Sequence, residues 1–201
     1  MHAHKPQKSA GFTLIEMLVV MAIIGILAII VTPFFKGMTT DGNAKVIAQF
    51  VQGAANNWRL INMKCGTSND TANSTIVTPP SVTNSLGLIV SGSGQLNTTY
   101  TSCYAASGVV ALHGKATGNI TNGFKIAGYP VTWSGGSGNN PVAFVITGLT
   151  PDVAHILYTQ YSSANGANAS TELPTTADAT DPMFRFTQPT GGTTDVTILI
   201  P

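Results

Sequence analysis

The chain has 201 residues and a mass of 20.8 kDa, enough for one globular unit with an additional element but short for two independent cores. Only 8% of its residues are charged and its formal net charge is +1, and the nine lysines and arginines form no cluster. Direct binding of nucleic acid is therefore not expected. A surface of uncharged Thr, Ser, Asn and Gly suits an exported protein that packs beside copies of itself.

An apolar segment occupies residues 12–31, after a short basic segment of residues 1–11. Its length of about 20 residues, at a rise of about 1.5 Å per residue, matches the roughly 30 Å hydrocarbon core of a bilayer. Lys5 and Lys8 precede the segment, and positive charge beside a first span tends to stay in the cytoplasm. No small-residue cleavage site follows the segment, so we expect a retained anchor in lipid with the remaining chain delivered outward.

Glu16 places a carboxylate inside this apolar segment, where an ionisable group is costly and needs compensation. A cut between Gly11 and Phe12 would create an α-amine one helical turn before Glu16, and the amino end of a helix also favours negative charge. The sequence therefore predicts processing at Gly11. The alternative is an uncleaved signal-anchor helix that carries an incidental acid.

Lys8 followed by Gly11-Phe12-Thr13-Leu14-Ile15-Glu16 resembles the class III leader site of type IV pilins and of type II secretion pseudopilins. The resemblance implies that a prepilin peptidase cuts after Gly11 and methylates the amine of Phe12. It also implies that Glu16 meets the amine of a neighbouring subunit, and that inner-membrane assembly machinery with a motor ATPase builds the polymer. Because an unpaired buried carboxylate costs several kcal/mol, such pairing would set the subunit register.

The helix is expected to continue through residues 32–63 with one apolar stripe and polar residues between. Gly25 and Pro33 both weaken helices, by added backbone freedom and by a missing donor. By the resemblance, Pro33 kinks one long helix, whereas in the alternative it only marks the end of the span. The predicted stripe consists of Ala44, Ile47, Val51, Ala54, Trp58 and Ile61.

Residues 64–201 are expected to form a globular head. Its two cysteines, Cys65 and Cys103, are an even count in a chain that looks exported, which favours a disulfide over a metal site. Two buried free thiols remain the alternative. The segment between them is rich in Thr, Ser, Asn and Pro, and we interpret it as a mostly irregular loop with Leu86–Val90 as a strand or short helix.

Beyond this loop, β-rich runs separated by Gly, Asn and Pro predict an antiparallel sheet. Thr150-Pro151-Asp152 predicts a helix start, with the Thr150 hydroxyl as a cap and a proline at the first position. Residues 143–150 resemble the corresponding part of type IVb pilins, which usually have a cysteine in the following helix where this chain has Ala154. We expect an α+β, type IV pilin-like fold, with a long amino-terminal helix packed on the sheet. The runs are Val109–Leu112, Phe124–Trp133, Val142–Thr147, Met183–Phe186 and Val196–Ile200.

No arrangement of nucleophile, base and carboxylate predicts catalysis. His113 and His155 are the histidines that remain after processing, and an isolated histidine is more often structural than catalytic. Asp178 and Asp181 could contribute oxygens to a calcium site, but their spacing matches no dedicated loop. We therefore predict neither a catalytic site nor a bound metal or cofactor.

These features predict a structural filament subunit rather than an enzyme. The expected protein is a single-pass precursor in the cytoplasmic membrane that assembles into a helical homo-oligomer at the cell surface, for adhesion, motility or DNA uptake. One alternative from the same family is a pseudopilin or minor pilin of a secretion or pilus machine. An alternative of another class is a membrane-anchored exported binding domain that does not polymerise.

Overall fold

The structure, a computed structural model, describes residues 13–138, 140–163 and 172–201, excluding the side chains of residues 31–37. The chain divides into two compact units, one ending at Thr39 and a second unit comprising Thr40–Pro201. Short 3₁₀ helices occupy Ser93–Gln95 and Thr98–Tyr100. The other elements are α1 (Leu14–Cys65), α2 (Val82–Ser91), α3 (Thr101–Ser107), β1 (Thr117–Asn119), β2 (Gly123–Ile126), β3 (Tyr129–Gly135), β4 (Val142–Leu149), α4 (Pro151–Tyr161), β5 (Phe184–Phe186) and β6 (Thr194–Ile200).

The six strands form one antiparallel sheet in the order β1-β2-β3-β4-β6-β5. Strands β2 and β3 form a hairpin in which Ile126 pairs with Tyr129 around Ala127 and Gly128. Both turn residues have positive φ, 51° and 88°, as a two-residue type I′ turn requires. The predicted α+β arrangement of an amino-terminal helix and an antiparallel sheet is confirmed.

The core of the second unit lies between one face of the sheet and the later part of α1. Side chains alternate between the two faces along each strand, and the inner face is buried. Trp58 and Phe50 of α1 meet Trp133 and Phe144 of the sheet, at ring-centroid distances of 5.3 Å for the tryptophan pair and 6.4 Å for the phenylalanine pair. All six residues of the predicted stripe are fully buried, which explains why α1 is amphipathic here.

The segment after α1 is more ordered than predicted. Its α2 is capped at the amino end by Ser81, whose hydroxyl accepts a hydrogen bond from the Asn84 amide at 3.1 Å. The seven residues from Asn84 to Val90 are all buried, so no polar stripe shows the helical period in the sequence. Leu86–Val90 is helical, one of the two forms expected for it, and belongs to the longer α2. The irregular loop expected around it was wrong for the rest of α2, and α3 was not predicted at all.

Two further local predictions were also wrong. Val109–Leu112 is not a strand, because its backbone groups bond to other partners: Val110 O accepts from Asn57 Nδ2 at 3.2 Å, and Leu112 N donates to Ile89 O at 3.0 Å. Helix α4 begins at Pro151 as predicted, but the hydroxyl of Thr150 makes no capping hydrogen bond. The fixed φ of a proline at the first position still suits a helix start.

Within the described residues, no helix is long and apolar enough to cross a membrane.

Asp181 joins the end of α4 to the start of β5. Its Oδ2 accepts hydrogen bonds from Ser162 Oγ and from the amide and hydroxyl of Ser163, at 2.8–2.9 Å. Its Oδ1 accepts from the amides of Met183 and Phe184, at 2.8 and 2.9 Å. These donors occupy both carboxylate oxygens, so Asp181 holds the end of α4 and the start of β5 together. We call this arrangement the Asp181 clip. Among the residues described, no group of three or more His, Cys, Asp or Glu side chains is placed to hold a metal ion.

The hydrogen bonds at Asp181 outweigh its burial. Burial raises the pKa of the carboxyl, whereas the bonds from Met183, Phe184, Ser162 and Ser163 lower it, and the balance lowers the pKa to about 2. A pKa below its unfolded-state value means that the ionised group stabilises the fold above the unfolded pKa of about 3.9. This stabilisation is lost as the pH falls from about 4 to about 2.

We expect Asp181→Asn to lower the free energy of unfolding by about 2 kcal/mol at neutral pH, because an amide has one acceptor oxygen for five donors. The difference from the wild type should shrink below about pH 4. Urea unfolding of the full chain in detergent measures this through the fluorescence of the buried Trp58 and Trp133.

Asp152→Asn is the matched control, since Asp152 is exposed in the first turn of α4 and its loss should cost less than about 1 kcal/mol. If Asp181→Asn lowered the free energy of unfolding equally at about pH 3 and at about pH 7, the stabilising role of the ionised carboxylate in the Asp181 clip would be contradicted.

Candidate functional site

Thr13 and Glu16 form a capping box at the start of α1. Glu16 Oε2 accepts hydrogen bonds from the Thr13 amide and from the Thr13 hydroxyl, both at 2.8 Å. The Glu16 amide in turn donates to Thr13 Oγ1 at 3.3 Å. Two amides that have no partner within the helix are satisfied in this reciprocal way. The position of Glu16 therefore has a structural cause within its own chain, independent of any neighbour.

The capping box leaves one carboxylate oxygen of Glu16 available. Oε1 receives no donor from any described residue, while Oε2 accepts both bonds from Thr13. The side chain is exposed among exposed apolar neighbours, including Ile15 and Val19. A carboxylate with one oxygen lacking a donor can accept a further hydrogen bond. An ammonium donor gives a charge-assisted hydrogen bond, which is stronger than one from a neutral donor.

From Leu14 to Ile30, α1 is exposed on all of its sides. Its large apolar side chains in this stretch range from 47% exposed at Val20 to 83% at Leu14. A helix that is hydrophobic all round is found buried inside a large protein or a membrane. The stretch therefore has the chemistry of a helix that is covered by lipid or by other helices.

Three of the other predicted positions lie at or beyond the limits of the description. Gly11 and Phe12 are outside the described residues, so cleavage and methylation stay predictions. Pro33 lies within the range of α1, but its side chain is not described. A Cβ built on Gly25 would meet no atom within 4 Å, so no close contact within the chain requires a glycine there. The kink at Pro33 and Gly25 stays a prediction.

The predicted disulfide is present. Cys65 at the end of α1 bonds to Cys103 in α3, with a Cα–Cα distance of 5.2 Å. Closing a loop of this length removes conformational freedom from the unfolded chain and stabilises the fold by roughly 4 kcal/mol in the chain-entropy model. The bond therefore fastens the end of the long helix to the segment that follows it.

The histidines form no catalytic arrangement among the described residues. His113 is exposed, and His155 has a buried Nδ1 without a hydrogen-bond partner in the described part of the chain. Thr13 is the one residue of the site that our sequence reasoning did not assign. Its signal was present in the sequence, because Thr-x-x-Glu before an apolar run is the pattern of a capping box.

Comparison with known proteins points to the same end of the chain. Residues 6–32 match the family model of the prokaryotic N-terminal methylation motif, a range that includes Gly11, Phe12 and Glu16. No curated protein and no solved structure matches the chain. The motif points to a structural, non-enzymatic protein. The chain carries a class III prepilin leader, consistent with a type IV pilin or pseudopilin.

Proposed function

We propose that this chain is the structural subunit of a type IV pilus, polymerising through the early part of α1 into an extracellular filament. The observation that carries the proposal is the stretch from Leu14 to Ile30, which is helical, apolar and exposed on all sides. The methylation motif at the same place favours a precursor that moves from lipid into a bundle of identical helices. Adhesion, motility or DNA uptake would then be properties of the filament.

The proposed route begins at the cytoplasmic membrane, with residues 12–31 as a single span in lipid. A prepilin peptidase cuts after Gly11 and methylates the amine of Phe12. Inner-membrane assembly machinery with a motor ATPase then moves the subunit into a homo-oligomeric filament at the cell surface. Phe12 and the side chain of Val31 lie outside the described residues, so the ends of this span are part of the proposal.

Glu16 gives the polymer its register in this proposal. While Oε2 caps the helix through Thr13, Oε1 is available to the methylated amine of Phe12 in a neighbouring copy. In a bundle of apolar helices an unpaired carboxylate is costly, so each added subunit is stable only where its Glu16 meets an amine. Capping and pairing use different oxygens and are therefore compatible.

Substitutions at Glu16 separate the capping role from the charge. Glutamine also serves as the third helical residue of a capping box but carries no charge, so Glu16→Gln should keep the cap and lose the ion pair. We expect Glu16→Gln and Glu16→Val each to reduce the filament sheared from cells by at least about tenfold, since an unpaired partner charge costs several kcal/mol. Immunoblots of the sheared and membrane fractions measure the yield.

Thr13→Ala is the converse control, because it removes the hydroxyl and keeps the charge of Glu16. A lost N-cap costs about 0.5–2 kcal/mol, so this variant should assemble better than Glu16→Gln. Normal filaments from Glu16→Gln would show that Glu16 acts only as a cap and would remove the charge-pairing mechanism.

A pseudopilin or minor pilin is the second candidate, because the methylation motif suits these subunits as well as a main pilus subunit. The two candidates differ in abundance within the fibre. The presence of one disulfide in a chain of 201 residues favours a main subunit that must endure outside the cell. A membrane-anchored binding domain that does not polymerise is the candidate from another class, and it would function normally after Glu16→Val.

Mass spectrometry of sheared filaments tests the identity of the subunit. We expect this chain to be the main component and to begin with N-methylated Phe12. An uncleaved chain, or a mature chain that starts at another residue, would overturn the leader assignment. A correctly processed chain present only in trace amounts would favour the pseudopilin or minor pilin.

A further inference from the structure

Charged residues are distributed unevenly over the second unit. Residues 71–114 contain no Asp, Glu, Lys or Arg, and neither do residues 126–151. Both runs lie in the folded second unit and carry exposed side chains. Interfaces between proteins are depleted of charged residues at their cores, so the exposed parts of both runs are candidate contact surfaces.

The end of the first run, from Cys103 to Leu112, forms a strip that runs back along α1. The Cys65–Cys103 disulfide begins it, Val110 bonds to Asn57, and the Leu112 side chain lies 3.6 Å from a Cβ built on Gly53. Its outward side chains are small and apolar. We call this the flank surface, and it consists of the exposed side chains of Ala105, Ala106 and Val110. Val110 is 77% exposed, the highest value among the large apolar side chains described in the second unit.

The second run forms the outer face of β3 and β4. The inner residues of these strands are buried, and the alternate residues point away from the core. Thr132 pairs with Val145, and Ser134 pairs with Ala143. We call these four residues the sheet surface. The neighbouring strands introduce charge at Lys125 of β2 and at Asp195 of β6, so the neutral area is confined to the middle of the sheet.

We propose that the flank surface of one subunit contacts the sheet surface of a second copy, an inference that rests on the proposed filament. An open fibre requires two different surfaces on each subunit, because a contact between two identical patches closes into a dimer. This chain has two such neutral surfaces, one on the helical flank and one on the outside of the sheet. A partner that is an identical copy also brings identical charges, and two uncharged surfaces avoid repulsion at every repeat.

Cysteine pairs test the contact in assembled filaments of the full chain. All described cysteines of the wild type are bonded to each other. We expect Val110→Cys combined with Thr132→Cys to give a ladder of dimers, trimers and larger species after oxidation of sheared filaments. Each single variant should give no ladder, because each contact needs one residue of each kind. Mass-spectrometric mapping identifies the Val110→Cys to Thr132→Cys cross-link and verifies that Cys65 and Cys103 remain paired.

Val110→Cys with Gln160→Cys is the matched control, since Gln160 is exposed on α4 and belongs to neither surface. It should give no ladder. A ladder from this pair, a dimer from Val110→Cys alone, or filaments of the Val110→Cys, Thr132→Cys variant without a ladder would each overturn the inference and leave the proposed function intact. Failure of the wild type to form filaments would overturn both.

A charge at the flank surface provides a second readout. Val110→Lys should reduce the sheared filament at least about tenfold, because an ammonium group held against the uncharged sheet surface of the next copy would lose its hydration without gaining a partner. Val110→Thr, of nearly the same shape, should assemble nearly as the wild type does. Normal filaments from Val110→Lys would overturn the contact, and if those filaments failed to attach to cells, the surface would bind a receptor instead.

Discussion

An exposed apolar helix is the constraint on which the other features of this protein depend. Burial of a large apolar side chain is worth roughly 1.5–3 kcal/mol, so the stretch from Leu14 to Ile30 needs an apolar environment. Lipid and a bundle of identical helices both supply one. Because lipid tails are as apolar as leucine, transfer between them leaves the hydrophobic term nearly unchanged. In the proposed filament the choice between membrane and filament would therefore come from polar and specific contacts, and we propose Glu16 as one of them.

The same helix is buried in its later part and exposed in its early part. From Ala44 to Ile61 its apolar stripe is fully buried by the remainder of the second unit, with aromatic contacts such as that of Trp58 with Trp133. From Leu14 to Ile30 the side chains are exposed. The change from a one-sided to an all-round apolar pattern marks where burial within the chain gives way to burial outside it.

The regular patterns of the chain were sufficient to predict its main elements. The stripe of α1, the strand runs and the cysteine pair each follow from a local period or count, and the structure contains the stripe, the disulfide and strands in four of the five runs. The elements that were missed or only partly predicted depend on tertiary contacts. Helix α2 is buried on all sides and shows no helical period, while Val109–Leu112 has strand-forming residues whose hydrogen-bond partners lie in α1 and α2. At the site, the Thr-x-x-Glu pattern of a capping box was present in the sequence, but the cap was not predicted. The charge of Glu16 was interpreted only through a partner outside the chain.

Two carboxylates differ in how many hydrogen-bond donors their own chain supplies. Asp181 lies inside the second unit, and five donors of its own chain occupy both of its oxygens. Glu16 receives two donors on one oxygen and none on the other from the described residues. The chain therefore supplies hydrogen-bond donors to both carboxylate oxygens of Asp181, whereas the described residues supply donors to only one carboxylate oxygen of Glu16. In the proposed bundle of apolar helices the remaining donors would come from another subunit, and for that reason we propose the assembly role for Glu16 and not for Asp181.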